Sequence, residues 1–299
     1  MELEDLAAIL GVPLDAITGA ETVEPGILRV AIEQDGARRE VLVRGAGSIA
    51  AQNHAAVLDA LARLGFAPVP RLLAFTGGLM AETAFEGLTA LALVPPATAL
   101  EEAVDVIAAL HQLPAGDKLR SGLQQAAPVP GPDLPLHRLG FAAHEREPAA
   151  ELLATAREAL GAGPVGFVHG ELHAGNVVFT AGGPRLVEFG AAGHGHQLLD
   201  IAAFLATAGL EPPLRRDLAE RYARRLALDP AATADAIDLA TIPWGLSWLV
   251  ELPRRQVLAL GDDAATERIS VLAARTHDAL RRAAGADATA AALRAALWP

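Results

Sequence analysis

Between Phe167 and Phe204 the chain reads FVHGELHAGNVVFTAGGPRLVEFGAAGHGHQLLDIAAF, which gathers His, Glu and Asn between short apolar runs. Glu171 and Asn176 lie five positions apart, and Glu188 follows the turn signal Gly182-Gly183-Pro184, so a single hairpin brings all three to one rim. A carboxylate, an amide oxygen and a second carboxylate are hard oxygen donors, suited to Mg²⁺ held together with substrate phosphates. The same stretch also has a nitrogen-rich reading. In that reading His169, Glu171, His173, Glu188, His194 and His196 form a site for Zn²⁺ or Mn²⁺.

The elements that must position these residues follow from periodicity. Thr22–Glu24, Ile27–Ile32 and Glu40–Arg44 are rich in β-branched residues and are separated by Glu24-Pro25-Gly26 and Gln34-Asp35-Gly36, which predicts a three-stranded meander after a short first helix. Val57, Leu58, Leu61 and Leu64 at helical spacing predict a helix over 49–64, stopped by Gly65. Strands over 71–75 and 79–83 complete a five-stranded sheet. Beyond Leu88 the pattern is mostly helical, with helices over 100–113, 149–160, 197–208, 214–226, around Trp244 and over 267–284, and a Pro/Gly-rich loop over 124–135. Short strands at 167–168, 177–179 and 185–187 interrupt the helices and flank the polar loop.

Composition narrows the class. A chain of 299 residues, 52% hydrophobic and 20% charged, is long enough for two domains or one large two-lobed domain. The formal charge of −12 excludes nucleic acid as an expected partner, because such a surface repels polyanions. The chain has no cysteine, which excludes disulfides, thiol nucleophiles and cysteine metal clusters. An acidic start, MELEDLAAIL, and the lack of any run of about 20 apolar residues give a cytoplasmic protein without a membrane span as the expectation. Lys118 is the sole lysine, so any chemistry that needs an ammonium must use it.

His169-Gly170, Leu172-His173, Gly175-Asn176, Phe189-Gly190 and Asp200 resemble, in order and spacing, the catalytic core of the aminoglycoside phosphotransferase and choline kinase-like family, which reads roughly HGDxHxxN followed by a DFG-like turn. VIAALHQLP at 106–114 and PVPRLLAF at 68–75 extend the likeness over roughly residues 20–280. The resemblance implies an α+β, two-lobed, protein-kinase-like fold. A small lobe over 1–84 holds a five-stranded antiparallel sheet, and a larger, mainly helical lobe over 85–299 carries the HGELHAGN loop. It further implies ATP-dependent phosphorylation of a small-molecule hydroxyl in the inter-lobe cleft, with Glu171 as base, Asn176 and Glu188 holding Mg²⁺, and Arg44 at the nucleotide phosphates.

Several positions depart from the family pattern. Glu171 and Glu188 each stand where an aspartate is expected, adding a methylene to a geometry that tolerates displacements of only about 0.5 Å. The third strand offers Val43 or Arg44 in place of the phosphate-holding lysine, a choice set by a one-residue register. His54 replaces the glutamate that pairs with that lysine, so the ion pair is expected to be dismantled on both sides. The turn Glu24-Pro25-Gly26 is too short for a phosphate-covering lid, and His196 takes the place of an aspartate. These departures set a second expectation, a pseudokinase-like module that binds a small molecule or a protein partner without phosphoryl transfer, or a site repurposed for another reaction. Other residues read as structural: His169 and Asp200 as loop anchors, His111 as a helix-end packing residue, and Trp244 and Trp248 as core. Glu251 stands where the family contacts cationic or polyol substrates.

Overall fold

The computed structural model describes residues 2–24, 26–76, 78–114, 134, 136–139 and 143–283. Lys118, Pro25 and nearly all of the expected 124–135 loop lie outside them. A first helix, α1 (Leu3–Leu10), leads into β1 (Ile17–Glu24), β2 (Ile27–Gln34) and β3 (Ala37–Gly45), then α2 (Ile49–Arg63), β4 (Leu72–Thr76) and β5 (Leu79–Thr83). The strands form one antiparallel five-stranded sheet in the order β1-β2-β3-β5-β4.

Pleating sorts this sheet into two faces. Val30, Ile32, Val41, Val43 and Ala81 pack with Leu6, Val12 and Ala16 into one buried cluster. The opposite face carries Met80, Glu82 and Arg44; Leu42 pairs with Glu82 and Arg44 with Met80, so Arg44 and Glu82 are diagonal neighbours. This register settles the choice on the third strand: Val43 is core, and Arg44 faces away from it. Helix α2 begins at Ser48, whose hydroxyl accepts the Ala51 amide at 3.1 Å, and it buries Asn53, His54, Val57, Leu58 and Leu61.

The remainder is mainly helical: α3 (Ala97–His111), α4 (Ala143–Gly161), α5 (Gln197–Thr207), α6 (Pro212–Arg225), α7 (Pro230–Leu258) and α8 (Asp263–Ala283). Two small antiparallel sheets sit among them. One holds β6 (Leu88–Thr89), β8 (Val177–Thr180) and β9 (Gly183–Leu186), and the other holds β7 (Val165–Val168) and β10 (Gly193–His196). One large core joins Val57, Leu58 and Leu61 of α2 to Ile107, Phe167, Phe189, Ile201, Phe204, Tyr222 and Leu246, so the sheet's own helix is packed into the helical body. The fold is the expected two-lobed α+β architecture. No helix among the described residues is long and apolar enough to cross a membrane.

Candidate functional site

The polar loop is built from its anchors upward. Asp200, in the first turn of α5, accepts the backbone amides of His169 at 2.6 Å and Gly170 at 3.0 Å. Its Oδ2 also lies 3.1 Å from His111 Nε2, and His111 Nδ1 meets the Tyr222 hydroxyl at 2.7 Å. Asp200, His111 and Tyr222 are all buried, so a carboxylate taken out of water is matched by three donors. His169 donates from Nε2 to the Val187 carbonyl at 2.7 Å, and its Nδ1 accepts the Glu171 amide at 3.3 Å. Burial, outweighing the neighbouring Asp200 charge, holds its pKa below the ordinary histidine value. Both residues are therefore loop anchors. Gly170 is required for close approach: its φ is +84°, and a Cβ there would stand 2.2 Å from the Ala191 carbonyl oxygen.

These anchors bring the predicted residues together. Asn176 Nδ2 donates to the Glu171 carbonyl at 2.8 Å, and the Val187 amide donates to the Asn176 carbonyl at 3.1 Å, which sets Glu188 beside the pair. Glu188 adopts a left-handed backbone, φ 66° and ψ 57°, unusual for a residue with a Cβ and a mark of local strain.

A closed ring of contacts surrounds Glu188. Arg44 grips both its oxygens, Nη1 to Oε2 at 2.8 Å and Nη2 to Oε1 at 2.7 Å, and donates a further bond to Glu82 Oε1 at 2.6 Å. The other Glu82 oxygen lies 2.7 Å from His54 Nε2, and His54 Nδ1 accepts the amide of Phe189 at 2.8 Å, returning to the residue after Glu188. Because Nδ1 accepts, Nε2 carries the proton and donates to Glu82. The expectation that the ion pair is dismantled is thus corrected: Arg44 is paired, with its partner moved from α2 to Glu82 of β5. Burial alone would raise the Glu188 pKa, but the hydrogen bonds and charge of Arg44 overcome it and hold the carboxylate below its ordinary range. Arg44 stays charged, because the two glutamates outweigh its own burial. Alongside, Asn53 Nδ2 donates to the carbonyls of Gly190 at 3.1 Å and Ala192 at 2.8 Å, fastening α2 to the same turn.

Glu171 has an arginine of its own. Arg255 of α7 donates from Nη2 to Glu171 Oε1 at 2.6 Å, and its guanidinium lies 5.6 Å from the Trp248 ring centroid. Burial works to raise the Glu171 pKa, yet the Arg255 charge and hydrogen bond win and lower it. His173 is driven down to about 4, chiefly by burial and against the pull of Glu171. These side chains open onto a cleft of about 970 Å³, whose wall also includes Arg157, His194, His196, Trp244, Trp248 and Glu251. Every lining residue falls between 157 and 255, so this cleft lies within the helical body. Trp244 and Trp248 serve both as core and as cleft wall.

Donor chemistry tests the metals. Both Glu188 oxygens are taken up by a guanidinium that would stand against any cation placed on them, so as arranged the Asn176 and Glu188 set does not fit Mg²⁺. The nitrogen-rich alternative is corrected as well. Among the described residues no group of three or more His, Cys, Asp or Glu is placed to hold a metal ion. His169 Nε2 and His173 Nδ1 are instead spent on the backbone.

Sequence reasoning missed Glu82 and Arg255. A signal for Glu82 was present: a glutamate inside the strand LMAET, one residue from the buried Met80-Ala81 pair, demands a cation. Arg255 had none beyond lying one helical turn past Glu251.

Comparisons with known proteins bear on this geometry. The profile of the phosphotransferase enzyme family matches residues 28–236, and none of the curated proteins matches the chain. Among solved structures, the fold is similar to an ethanolamine kinase of Plasmodium vivax, at TM-score 0.61 and 12% identity over 88% of this chain and 83% of that one. It is also similar to a choline/ethanolamine kinase family protein from Mesorhizobium loti, at TM-score 0.59 and 15% identity over 99% of both chains. A third is the AMP-bound complex of the spectinomycin phosphotransferase APH(9)-Ia, at TM-score 0.61 and 10% identity over 90% of this chain and 92% of that one.

Proposed function

The chain belongs to the phosphotransferase enzyme family, and on that premise we propose that it is a small-molecule-binding member whose phosphate and metal side is closed by its own side chains, so that it binds a ligand without phosphoryl transfer. The observation that carries this reading is the two-pronged contact of Arg44 with Glu188. The fork is anchored from the sheet side: Arg44 is 12% exposed and is also bonded to Glu82, which is 1% exposed, so Arg44 cannot swing away from Glu188 without giving up a buried ion pair. The compact ammonium that other family members use is here a wide planar fork. On the acceptor side, Glu171 is matched by Arg255, which lowers its basicity and works against a role as proton acceptor. What stays open is the cleft of about 970 Å³ beside Glu171, of a size that encloses a small molecule.

A second reading is favoured by the intact loop anchors. It keeps ATP-dependent phosphorylation of a small-molecule hydroxyl, with Glu171 as base and Asn176 and Glu188 on Mg²⁺, and it requires Arg44 to release Glu188. The family profile and the AMP held by a related fold support it. Thermal shift at millimolar ATP with and without Mg²⁺ separates the two, followed by ATP-dependent labelling of a panel of hydroxyl compounds. The first reading expects no Mg²⁺-dependent shift and no labelling. A Mg²⁺-dependent ATP shift that Glu188→Ala abolishes overturns it.

A further inference from the structure

We propose that the cleft beside Glu171 takes a small organic anion, its oxyanion seated on Arg255 and its apolar body against Trp244 and Trp248. The proposal rests on the reading of this cleft as a binding site and names the class of ligand. It runs against the overall charge of −12, which taken alone favours cations.

The local balance of donors and acceptors decides otherwise. The two carboxylates on the cleft floor, Glu171 and Asp200, are already bonded, and Glu251 stands at the exposed rim. Glu171 is bonded to Arg255, Asp200 accepts two amides and faces His111, and Glu251 stands 3.7 Å from Arg254. The cations are not matched in the same way. Arg157, exposed on α4, ion-pairs with no described residue. Arg255 gives one of its five N–H groups to Glu171, and its side chain keeps 31% exposure at the cleft.

Stacking reinforces this. With its guanidinium over the Trp248 ring, Arg255 is held as a planar fork whose edge suits the two oxygens of a carboxylate or phosphate. Trp248 itself is 6% exposed, and its indole N–H has no partner among the described residues, leaving a donor that an acceptor oxygen of a ligand would satisfy. A cationic ligand would meet two guanidiniums here, and would have to compete with Arg255 for Glu171. Val165, Leu199 and Trp244 add apolar wall for the rest of the molecule.

The test uses the full chain and three probes that share a phenyl body: phenylacetate, phenyl phosphate and phenethylamine. Binding is read by calorimetry and by tryptophan fluorescence, two of the three tryptophans being in the cleft wall. At least one of the two anions should bind and the amine should not, with the anion pair telling carboxylate from phosphate. Arg255→Gln should weaken anion binding about tenfold or more. Glu171→Gln, by removing the competing carboxylate, should tighten it roughly threefold or more, a gain that misfolding cannot mimic. If the amine binds as tightly as the anions, the anion assignment is overturned while the cleft remains a binding site. If no probe of either charge binds, both fall. Unchanged anion affinity in Arg255→Gln, or weaker binding in Glu171→Gln, also overturns the assignment.

Discussion

Arg44 and Glu188 lie 144 positions apart in sequence, and each oxygen of the one is held by a different nitrogen of the other, at 2.7 and 2.8 Å. The contact joins β3 of the sheet to the turn after β9, and through Glu82 and His54 it returns to Phe189. Sheet and helical body are thereby bound together at Glu188.

Arg44→Ala should therefore destabilise the fold by about 3–5 kcal/mol, because it leaves Glu82 buried without its cation. Chemical denaturation measures this. The double variant Arg44→Ala/Glu82→Gln should lose clearly less than the sum of the two single changes, since both act on one network. Strict additivity would show that the ring is not energetically coupled.

Reversing the departures should reopen the site. A variant carrying Arg44→Lys, Glu171→Asp and Glu188→Asp replaces the fork with a point charge and shortens both carboxylates. It should show a Mg²⁺-dependent rise in Tm at millimolar ATP that the native chain lacks. A triple variant blind to nucleotide would show that closure comes from elsewhere.

Stability should fall on mild acidification. His173 is held down to about 4 by burial, against an ordinary value of 6.5, and His169 is depressed in the same direction. Between those values the unfolded chain binds protons that the folded one refuses, so stability present above pH 6.5 is lost progressively as pH falls toward 4. Glu171 and Glu188, whose folded pKa values are lowered, add their loss only below about 4.5. Tm measured across this range should slope upward with pH, and His173→Gln should flatten the slope between 4 and 6.5. An unchanged slope would remove His173 from the account.

Gly170→Ala should disrupt the loop, whereas Gly36→Ala should not disturb the site. Both glycines have positive φ, but a Cβ at position 170 meets the Ala191 carbonyl at 2.2 Å, and one at position 36 meets nothing within 4 Å. The first change should cost clearly more than the 1–2 kcal/mol of left-handed backbone alone, roughly all that the second costs. Equal losses in paired melts would refute the close approach.

Much of the fold was legible because period and punctuation agree. The meander, the helix after it and the return pair β4 and β5 follow from β-branched alternation and turn residues, and the predicted 79–83 strand coincides with β5. β10 was not legible, since Gly193-His194-Gly195-His196 has no strand-forming side chain and is a strand only through its backbone pairing with β7. In the site, hairpin geometry ties Asn176 to the Glu171 carbonyl and to Val187, the residue before Glu188, while the Glu171 and Glu188 carboxylates turn to different arginines. Glu82 and Arg255 reach that point from 38 residues after Arg44 and 84 residues after Glu171, distances over which sequence spacing carries no geometric information.

The ring through Arg44, Glu82, His54 and the turn at Glu188 has a bearing on descent. Loss of Arg44 leaves the 1%-exposed Glu82 with His54 as its remaining side-chain partner, whereas Glu188, 44% exposed, can be lost with Arg44 still held by Glu82. The easier single step toward an open cavity edge therefore runs through the Glu188 side of the ring, and the harder one through its arginine.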